Sequence, residues 1–372
     1  MPLAIKAELS KLKPQDLSNS CWAFSILGMK HGPFLAAARD EVISRSKQCM
    51  KGNQNMMTRF KGQEITNTLW AIATLNHPFG SVLTQVTPYV VQMCMDASTG
   101  KTTVASIANA FKRQELANLA WVCAVSGEYP PELMRILYMG LMGIGENSDR
   151  DYVSQIHGDN GIERSAMMSV IYLQIAMDLD GAANGLSLPE GFPDSWDPKA
   201  QSSGSSSSSA PGNNNLMEDG LNLSTSNVQR AVSSAFNRVG FDHVMEHVIR
   251  MDTLAQDFGV QMSAVPIEIL SLDLAHVDSK IAIEVDGPAH FVSNIENLDP
   301  ALGNSQLING KVEYQFRWNG DVQETNGPTT LKTRLLERLG WRIISIPFWE
   351  WSALKGDPQK EEAYCSKILD GL

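Results

Sequence analysis

Two stretches near the C-terminus, IAIEVDGPAHF (residues 281–291) and KTRLLERLGWRIISIPFWEW (residues 332–351), decide the fold of this part of the chain. In the first stretch apolar residues alternate with others, which predicts a strand with one apolar side and one side that carries Glu284 and Asp286. Around the second stretch, leucines recur on one side of a helix that ends at Gly340, and a strand follows directly. The sequence therefore predicts a helix laid across a sheet.

The run I-E-V-D-G-P-x-H-F, followed by T-x-L-K-x-R-L-L-x-x-L-G-W-x-I-I-S-I-P-x-x-E-W, resembles the RAP domain at the C-terminus of organellar RNA-binding proteins. The resemblance covers roughly residues 226–369 and departs from the usual pattern between Val292 and Pro328, where a long polar insertion occurs. The predicted elements follow the order αβββαβ, which is that of the PD-(D/E)XK nuclease core. The RAP domain resembles that core, so we expect an α/β domain of nuclease-like topology.

The charge of the 372-residue chain, −11 overall, is unevenly distributed. Residues 1–113 hold 13 Lys and Arg against 6 Asp and Glu, whereas residues 224–372 hold 13 against 20. A basic N-terminal part is compatible with binding to phosphates. It is equally typical of a solvated protein surface, and composition leaves both interpretations open.

Three further features concern the compartment. Five scattered cysteines without CxxC spacing predict reduced thiols in a reducing compartment. No apolar run approaches about 18 residues, so we expect no insertion into a membrane. The first 20 residues lack both the apolar core of a signal peptide and the arginines of a transit peptide. Because a helical repeat begins almost at residue 1, we expect a mature form or fragment of an organellar protein, from mitochondrion or chloroplast, rather than a cytosolic protein.

An internal repeat organises the N-terminal half. Three segments, beginning at Gln15, Gln63 and Gln114, share the pattern Q-[DE]-[LI]-x-N-x-x-W at offsets of 48 and 51 residues. Such a period is typical of a solenoid, in which each helix pair buries its face only against its neighbours. We therefore predict an all-α array over residues 1–186, closed by a degenerate repeat near Ile162.

The repeats resemble octotricopeptide and related helical repeats that accompany RAP domains, although their spacing is longer. Each repeat carries one asparagine and one tryptophan of the pattern. They are Asn19, Asn67 and Asn118, and Trp22, Trp70 and Trp121. We interpret the tryptophans as core between repeats, with base stacking as the alternative, and expect the asparagines to bond to backbone or neighbouring repeats rather than to RNA bases.

A change of composition separates the two halves. Residues 187–223 contain three prolines, a serine run from Ser202 to Ser209 and an asparagine run. This composition cannot bury enough apolar surface to offset the entropy of ordering. We predict a flexible linker that lets the array and a RAP domain over residues 224–372 move independently.

The acidic side of the predicted sheet contains a candidate metal site. If Asp278 and Ser279 form the two-residue turn of a hairpin, Asp273 faces Glu284, with Cβ atoms about 4.5–5.5 Å apart. Two adjacent carboxylates repel each other unless a cation lies nearby. The pair therefore predicts either a Mg²⁺ ion or a neighbouring Lys or Arg.

The nuclease resemblance implies that Asp273 and Glu284 are the catalytic, metal-binding acids, but it places Asp286 where nucleases carry a lysine. His290 is a candidate proton carrier, and Lys332 on the facing helix is a candidate contact to the scissile phosphate. Alternatively, Asp286 belongs to a tight turn and His290 packs locally. The domain would then be a folded relic or an RNA-binding module without catalysis.

Further candidate RNA contacts lie on and after the same helix. Lys332 and Arg334 could bind phosphate, and Trp349 and Trp351 could stack on single-stranded bases. The alternative for the two tryptophans is that they close the core of the domain.

These patterns predict an organellar RNA-binding protein, and the resemblance implies a role in RNA stability, processing, splicing, translation or ribosomal RNA maturation. One alternative is a Mg²⁺-dependent endoribonuclease that uses Asp273 and Glu284. The other is a non-catalytic scaffold or ribosome-associated subunit. We expect RNA as the main partner, protein partners within a ribonucleoprotein, and Mg²⁺ as the one candidate cofactor.

Overall fold

The computed structural model describes residues 7–52, 59–96, 98–142, 164–188, 226–251, 254, 268–294, 305–308, 311–314 and 324–372. The chain forms two compact units. The first comprises Met1–Leu141 and Ala289–Thr330, and the second Met142–Pro288 and Leu331–Leu372. The predicted linker, apart from its first two residues, lies outside the described residues, as do Ile162 and most of the predicted insertion.

Helices dominate the first part of the chain. They are α1 (Pro14–Ile26), α2 (Gly32–Met50), α3 (Gly62–Thr74), α4 (Val82–Met93), α5 (Val104–Ala110), α6 (Arg113–Ser126) and α7 (Pro131–Met142). The three repeat segments form α1, α3 and α6, and α3 contacts both of the others. A mainly helical N-terminal part is therefore confirmed, whereas the solenoid stays a prediction.

The repeat pattern explains how these helices begin. Pro14 occupies the first turn of α1, where its missing N–H costs no hydrogen bond. The carboxylates of Glu64 and Glu115 accept hydrogen bonds from the backbone N–H groups of Lys61 (2.8 Å) and Lys112 (2.9 Å), which precede α3 and α6. In two of the three repeats the acidic residue of the pattern thus caps its own helix.

Arg45 connects α2 to the starts of α1 and α3. Its side chain is 2% exposed and forms a 2.7 Å ion pair with Glu41, one turn earlier on α2. The guanidinium also donates hydrogen bonds to the carbonyls of Leu9 (3.1 Å) and Ser10 (3.3 Å), just before α1. It lies 5.8 Å from the ring centroid of Phe60, just before α3. Because a buried charge is costly unless it is paired, this side chain fixes the two helix starts relative to each other.

A segment from late in the chain joins the helices of the first unit. Strands β1 (Met29–Lys30), β5 (Phe291–Asn294) and β8 (Glu324–Thr325) form a sheet in the order β1-β5-β8. β5 is parallel to β1 and antiparallel to β8. The buried ammonium group of Lys30 donates a hydrogen bond to the carboxylate of Glu324. Hydrogen bonds between distant parts of the sequence therefore hold this segment to the first unit.

The remaining elements lie mainly in the second unit. They are α8 (Arg164–Leu179), α9 (Asn227–Arg238), β2 (Val244–Arg250), β3 (Glu268–His276), β4 (Ile281–Asp286), β9 (Arg342–Pro347), α11 (Phe348–Ala353) and α12 (Pro358–Asp370). α10 (Gly327–Arg338) crosses the boundary between the units, and β6 (Ser305–Ile308) and β7 (Lys311–Tyr314) form an antiparallel pair. No helix among the described residues is long and apolar enough to span a membrane.

A four-stranded mixed sheet organises the second unit. Its order is β2-β3-β4-β9, with β4 parallel to β9 and the other pairs antiparallel. Phe236 of α9, Ile283 of β4 and Ile346 of β9 meet in the core, together with Trp351. Gly340 ends α10 with φ of +82°, a conformation that glycine adopts without strain. The C-terminal part is thus an α/β region, as expected, whereas its nuclease-like topology stays a prediction.

The leucines predicted to share one side of this helix are all buried: Leu331, Leu335 and Leu336 on α10, and Leu339 directly after it. Lys332 of the same helix pairs with Glu284 on β4. β4 differs from the prediction in one respect, because its acidic side is covered as well: Glu284 is 6% exposed and Asp286 3%. An alternating pattern records the polarity of the side chains. It does not record whether other polar side chains cover them.

We expect Arg45→Met to destabilise the first unit by about 3–5 kcal/mol, because Glu41 would remain buried without its cation. Urea unfolding followed by circular dichroism measures this change. The double variant Arg45→Met/Glu41→Met should lose less stability than the single variant, since no unpaired charge is left. Equal losses in the two variants would show that the ion pair is not what makes Arg45 important.

Candidate functional site

The hairpin of β3 and β4 brings two acidic residues together. A two-residue turn at 278–279 joins the strands, and the ladder pairs Leu274 with Ile283. Continued by one residue beyond this last pair, the register sets Asp273 opposite Glu284, and the Asp273 carboxylate contributes to the raised pKa of Glu284. The predicted register is therefore confirmed, and it places both acids beside the C-terminal end of β4.

Asp273 connects three elements. Its Oδ2 accepts a hydrogen bond from the backbone N–H of Val285 in β4 (2.7 Å), and its Oδ1 accepts one from Nε2 of Gln229 in α9 (2.7 Å). The carboxylate thus takes a place in the ladder between β3 and β4 that a backbone carbonyl would otherwise fill. Both of its oxygens serve to hold α9 and β4 against β3.

Glu284 has a raised pKa. Burial raises its pKa to about 7, and the neighbouring carboxylates of Asp273 and Asp286 raise it as well. The ammonium group of Lys332 on α10 opposes this effect at 2.5 Å from Oε2. Oε1 is buried and has no hydrogen-bond partner among the described residues. The cation that the sequence requires beside the two acids is, in this structure, Lys332.

Asp286 ends β4 and is nearly inaccessible. Its Oδ2 accepts a hydrogen bond from the hydroxyl of Ser345, which lies on the parallel neighbour β9. In the ladder, Ser345 is the partner of Glu284. β9 therefore supplies one hydroxyl donor to the acidic cluster of Asp273, Glu284 and Asp286.

This acidic cluster is a poor fit for Mg²⁺. The ion prefers near-octahedral oxygen coordination at about 2.0–2.1 Å. Both oxygens of Asp273 already accept N–H groups, and Oε2 of Glu284 lies against the ammonium group of Lys332. Within the described ranges, no group of three or more His, Cys, Asp or Glu side chains is arranged to hold a metal ion. In this cluster the ammonium group of Lys332 pairs with Glu284, where a metal ion would otherwise have to lie.

Two other candidates have different surroundings. His290 belongs to the first unit, where its Nδ1 lies 3.3 Å from the hydroxyl of Thr329. Arg334 follows Lys332 by two residues on α10, and residues spaced in this way point to different sides of a helix. The structure therefore unites Asp273, Glu284, Asp286 and Lys332.

The two tryptophans after β9 have different surroundings. Trp351 is part of the core and packs at 72° against Tyr364, with ring centroids 6.2 Å apart. Trp349 is half-buried and meets Phe348 at 84° and 5.1 Å. Trp351 therefore closes the core, whereas Trp349 keeps part of its surface exposed.

Sequence reasoning missed two residues of this site. Gln229 follows Ser226 by three residues, a spacing that indicates a capping box, and the cap is indeed formed. The same side chain also reaches Asp273, which lies 44 residues away in the sequence. Ser345 lies in an apolar strand and could have been suspected as a polar residue there. Nothing local indicates that it bonds to Asp286.

Comparisons with known proteins identify a family in this part of the chain. Residues 283–367 match the RAP domain family. The C-terminal part of the chain carries a RAP domain. A chloroplastic RAP domain-containing protein of Oryza sativa subsp. japonica is 29% identical over 99 residues, which are 27% of this chain and 11% of that relative. The matching part thus spans about a tenth of the relative. Glu284, Asp286 and Lys332 lie within the RAP domain, whereas Asp273 precedes it.

The raised pKa of Glu284 predicts a pH-dependent stability. Because the carboxyl group binds its proton more tightly in the folded than in the unfolded state, the stabilisation is complete below about pH 4.5 and is lost as the pH rises through about 7. The loss should be on the order of 2–3 kcal/mol. Denaturant unfolding between pH 4.5 and 8 measures it, and Glu284→Gln should remove this component.

Glu337→Gln is the matched control, because Glu337 is exposed on α10. Its pH profile should equal that of the unchanged protein. A profile of Glu284→Gln that also equals that of the unchanged protein would show that Glu284 titrates as an ordinary carboxylate.

Proposed function

We propose that the protein binds RNA in an organelle and acts in post-transcriptional RNA metabolism. The observation that carries this proposal is the RAP domain at residues 283–367, because the family is generally RNA-binding. The chloroplastic relative supports an organelle. Residues 1–113, with 13 basic against 6 acidic side chains, support contact with a phosphate backbone.

The proposal extends to the architecture. The helical part acts as a short solenoid of octotricopeptide-like repeats, which is supported by the contacts of α3 with both α1 and α6. The RAP domain, with the preceding α9, β2 and β3, adopts a nuclease-like topology. The order of its elements and the parallel pairing of β4 with β9 support this assignment.

A non-catalytic role for the RAP domain agrees best with the acidic cluster. Asp273 is committed to hydrogen bonds within the fold, and the charge of Glu284 is balanced by Lys332. A cation-dependent nuclease needs carboxylate oxygens that are directed at a metal ion. The cluster thus supports a domain that keeps its fold and contributes RNA or protein contacts.

Endoribonuclease activity is the second candidate function. One observation favours it: Glu284 has a buried oxygen without a partner and a pKa raised to about 7, so it can exchange a proton near neutral pH. In that case Glu284 acts as a general acid or base beside Lys332.

RNA retention and cleavage separate these functions. Purified protein is mixed with a labelled organellar RNA pool in Mg²⁺ or in EDTA, alongside Asp273→Asn/Glu284→Gln. We expect RNA to be retained and uncleaved in both conditions, and the double variant to behave in the same way as long as its melting temperature shows that it is folded. Mg²⁺-dependent cleavage that the double variant loses would establish the nuclease instead. Failure to retain RNA would contradict the proposal and favour a scaffold.

A further inference from the structure

Four residues recur at identical positions in α1, α3 and α6. Each helix has a lysine at its N-cap, a glutamine in its first turn, and an asparagine and a tryptophan four and seven residues later. We call these sets the lysine, glutamine, asparagine and tryptophan rows. They are Lys13, Lys61 and Lys112; Gln15, Gln63 and Gln114; Asn19, Asn67 and Asn118; Trp22, Trp70 and Trp121.

The four residue types that are identical in all three repeats lie at exposed or half-buried positions. The lysine and glutamine rows are exposed, and the asparagine and tryptophan rows are exposed or half-buried, with Trp22 at 48%. The position directly before each tryptophan is fully buried, yet it holds three different residues, Cys21, Leu69 and Ala120. If packing alone determined the residue types, buried positions would be more alike among the three repeats than exposed positions. A shared external partner explains identity at the exposed positions.

α1 and α3 run in the same direction. Arg45 contacts the residues just before both helices, so their N-terminal ends lie together. Beyond their C-terminal ends, Nζ of Lys30 donates a hydrogen bond to the carbonyl of Asn76 (3.0 Å). Two contacts at opposite ends therefore establish that the two helices are parallel.

α3 and α6 are parallel as well. At their starts, a Cβ on Gly62 would lie 2.9 Å from side-chain atoms of both Phe111 and Glu115. Seven residues into the repeat pattern, the rings of Trp70 and Trp121 lie 6.0 Å apart. Since packed helices have axes about 8–10 Å apart, the four rows run side by side across all three helices.

Most polar groups of the rows are available to a ligand. Within the described part of the chain, the ammonium groups of the lysine row form no hydrogen bond or ion pair, and neither do the side-chain amides of Asn19 and Asn67. Of the three acids of the pattern, Glu64 and Glu115 accept hydrogen bonds from backbone N–H groups, and Asp16 is exposed to solvent. Asn118 accepts a hydrogen bond from Gln114 of its own helix (2.8 Å).

We propose that the four rows form a binding face for single-stranded RNA on the first unit. This inference rests on the RNA binding proposed above and gives it a location. The lysine row contacts phosphates, the exposed indole surfaces of the tryptophan row stack on bases, and the amides of the other two rows bond to base edges. Lysine contacts supply affinity, whereas the amides select sequence.

The salt dependence of binding tests the lysine row. The full chain is titrated against a labelled single-stranded RNA of randomised sequence at several salt concentrations. Each phosphate contact on a single strand contributes about 0.7 to the slope of log affinity against log salt, so Lys13→Gln/Lys61→Gln/Lys112→Gln should reduce the slope by about 2. The control Lys47→Gln/Lys51→Gln/Lys101→Gln changes the net charge equally, at exposed lysines of the first unit that lie outside the four rows, and should leave the slope unchanged.

Sequencing of the RNA retained from the same randomised pool tests the asparagine row. Asn19→Ala/Asn67→Ala/Asn118→Ala should change the sequences that are enriched, because base-edge contacts specify sequence. The lysine variant should recover less RNA with unchanged sequence preferences, because phosphate contacts carry no sequence information.

The outcomes separate this inference from the function on which it rests. If the unchanged chain binds no RNA, the proposed function fails. If it binds RNA and the lysine variant has the same slope as its control, RNA binding stands and this face is the wrong location. Unfolding curves that match that of the unchanged protein exclude loss of structure as the cause of a reduced slope.

Discussion

The buried ion pair of Arg45 and Glu41 is the constraint on which the helical unit depends. Neither charge can be left alone in a water-poor interior, so α2 must keep both side chains in place. Because the same guanidinium contacts the chain just before α1 and just before α3, its position determines how the two helices are aligned along their axes. Each row takes one residue from each helix, so the rows require such alignment. If one helix moved along its axis by one turn, about 5.4 Å, the residues of every row would no longer be neighbours.

The second unit uses buried charge in a similar way. Lys332 on α10 neutralises Glu284 on β4, and Asp273 on β3 binds the backbone of β4 and the side chain of Gln229 on α9. Four elements therefore meet at one polar cluster beside an apolar core. Asp273 and Asp286 contribute to the raised pKa of Glu284, and Lys332 opposes this effect. An interior of this kind favours one arrangement of strands and helices over others in which a charge would lack its partner.

The sequence predicted the elements and the hairpin register well, because both depend on local rules. The alternation in β4, the leucines of α10 and the turn at 278–279 each specify structure within a few residues. It did not predict that the acidic side of β4 is covered, or that Gln229 and Ser345 bond to its acids, because these contacts join distant positions. The tryptophans of the repeats were expected in the core. Trp70 and Trp121 do contact each other, but Trp22 is 48% exposed.

Residues Ala289–Thr330 belong to the first unit although they lie within the RAP sequence match. The boundaries of the match therefore differ from those of the compact units. Residues 283–367 match the family, yet β5 pairs with β8 on one side and, on the other, with β1, which lies more than 250 residues earlier. Gly327 lies so close to the carbonyl of Ala73 that no side chain fits there. A RAP domain cut from this chain along its sequence boundaries would lose the helices with which this segment forms its contacts. Transfer of this RAP domain to another protein would therefore have to include α1 to α3.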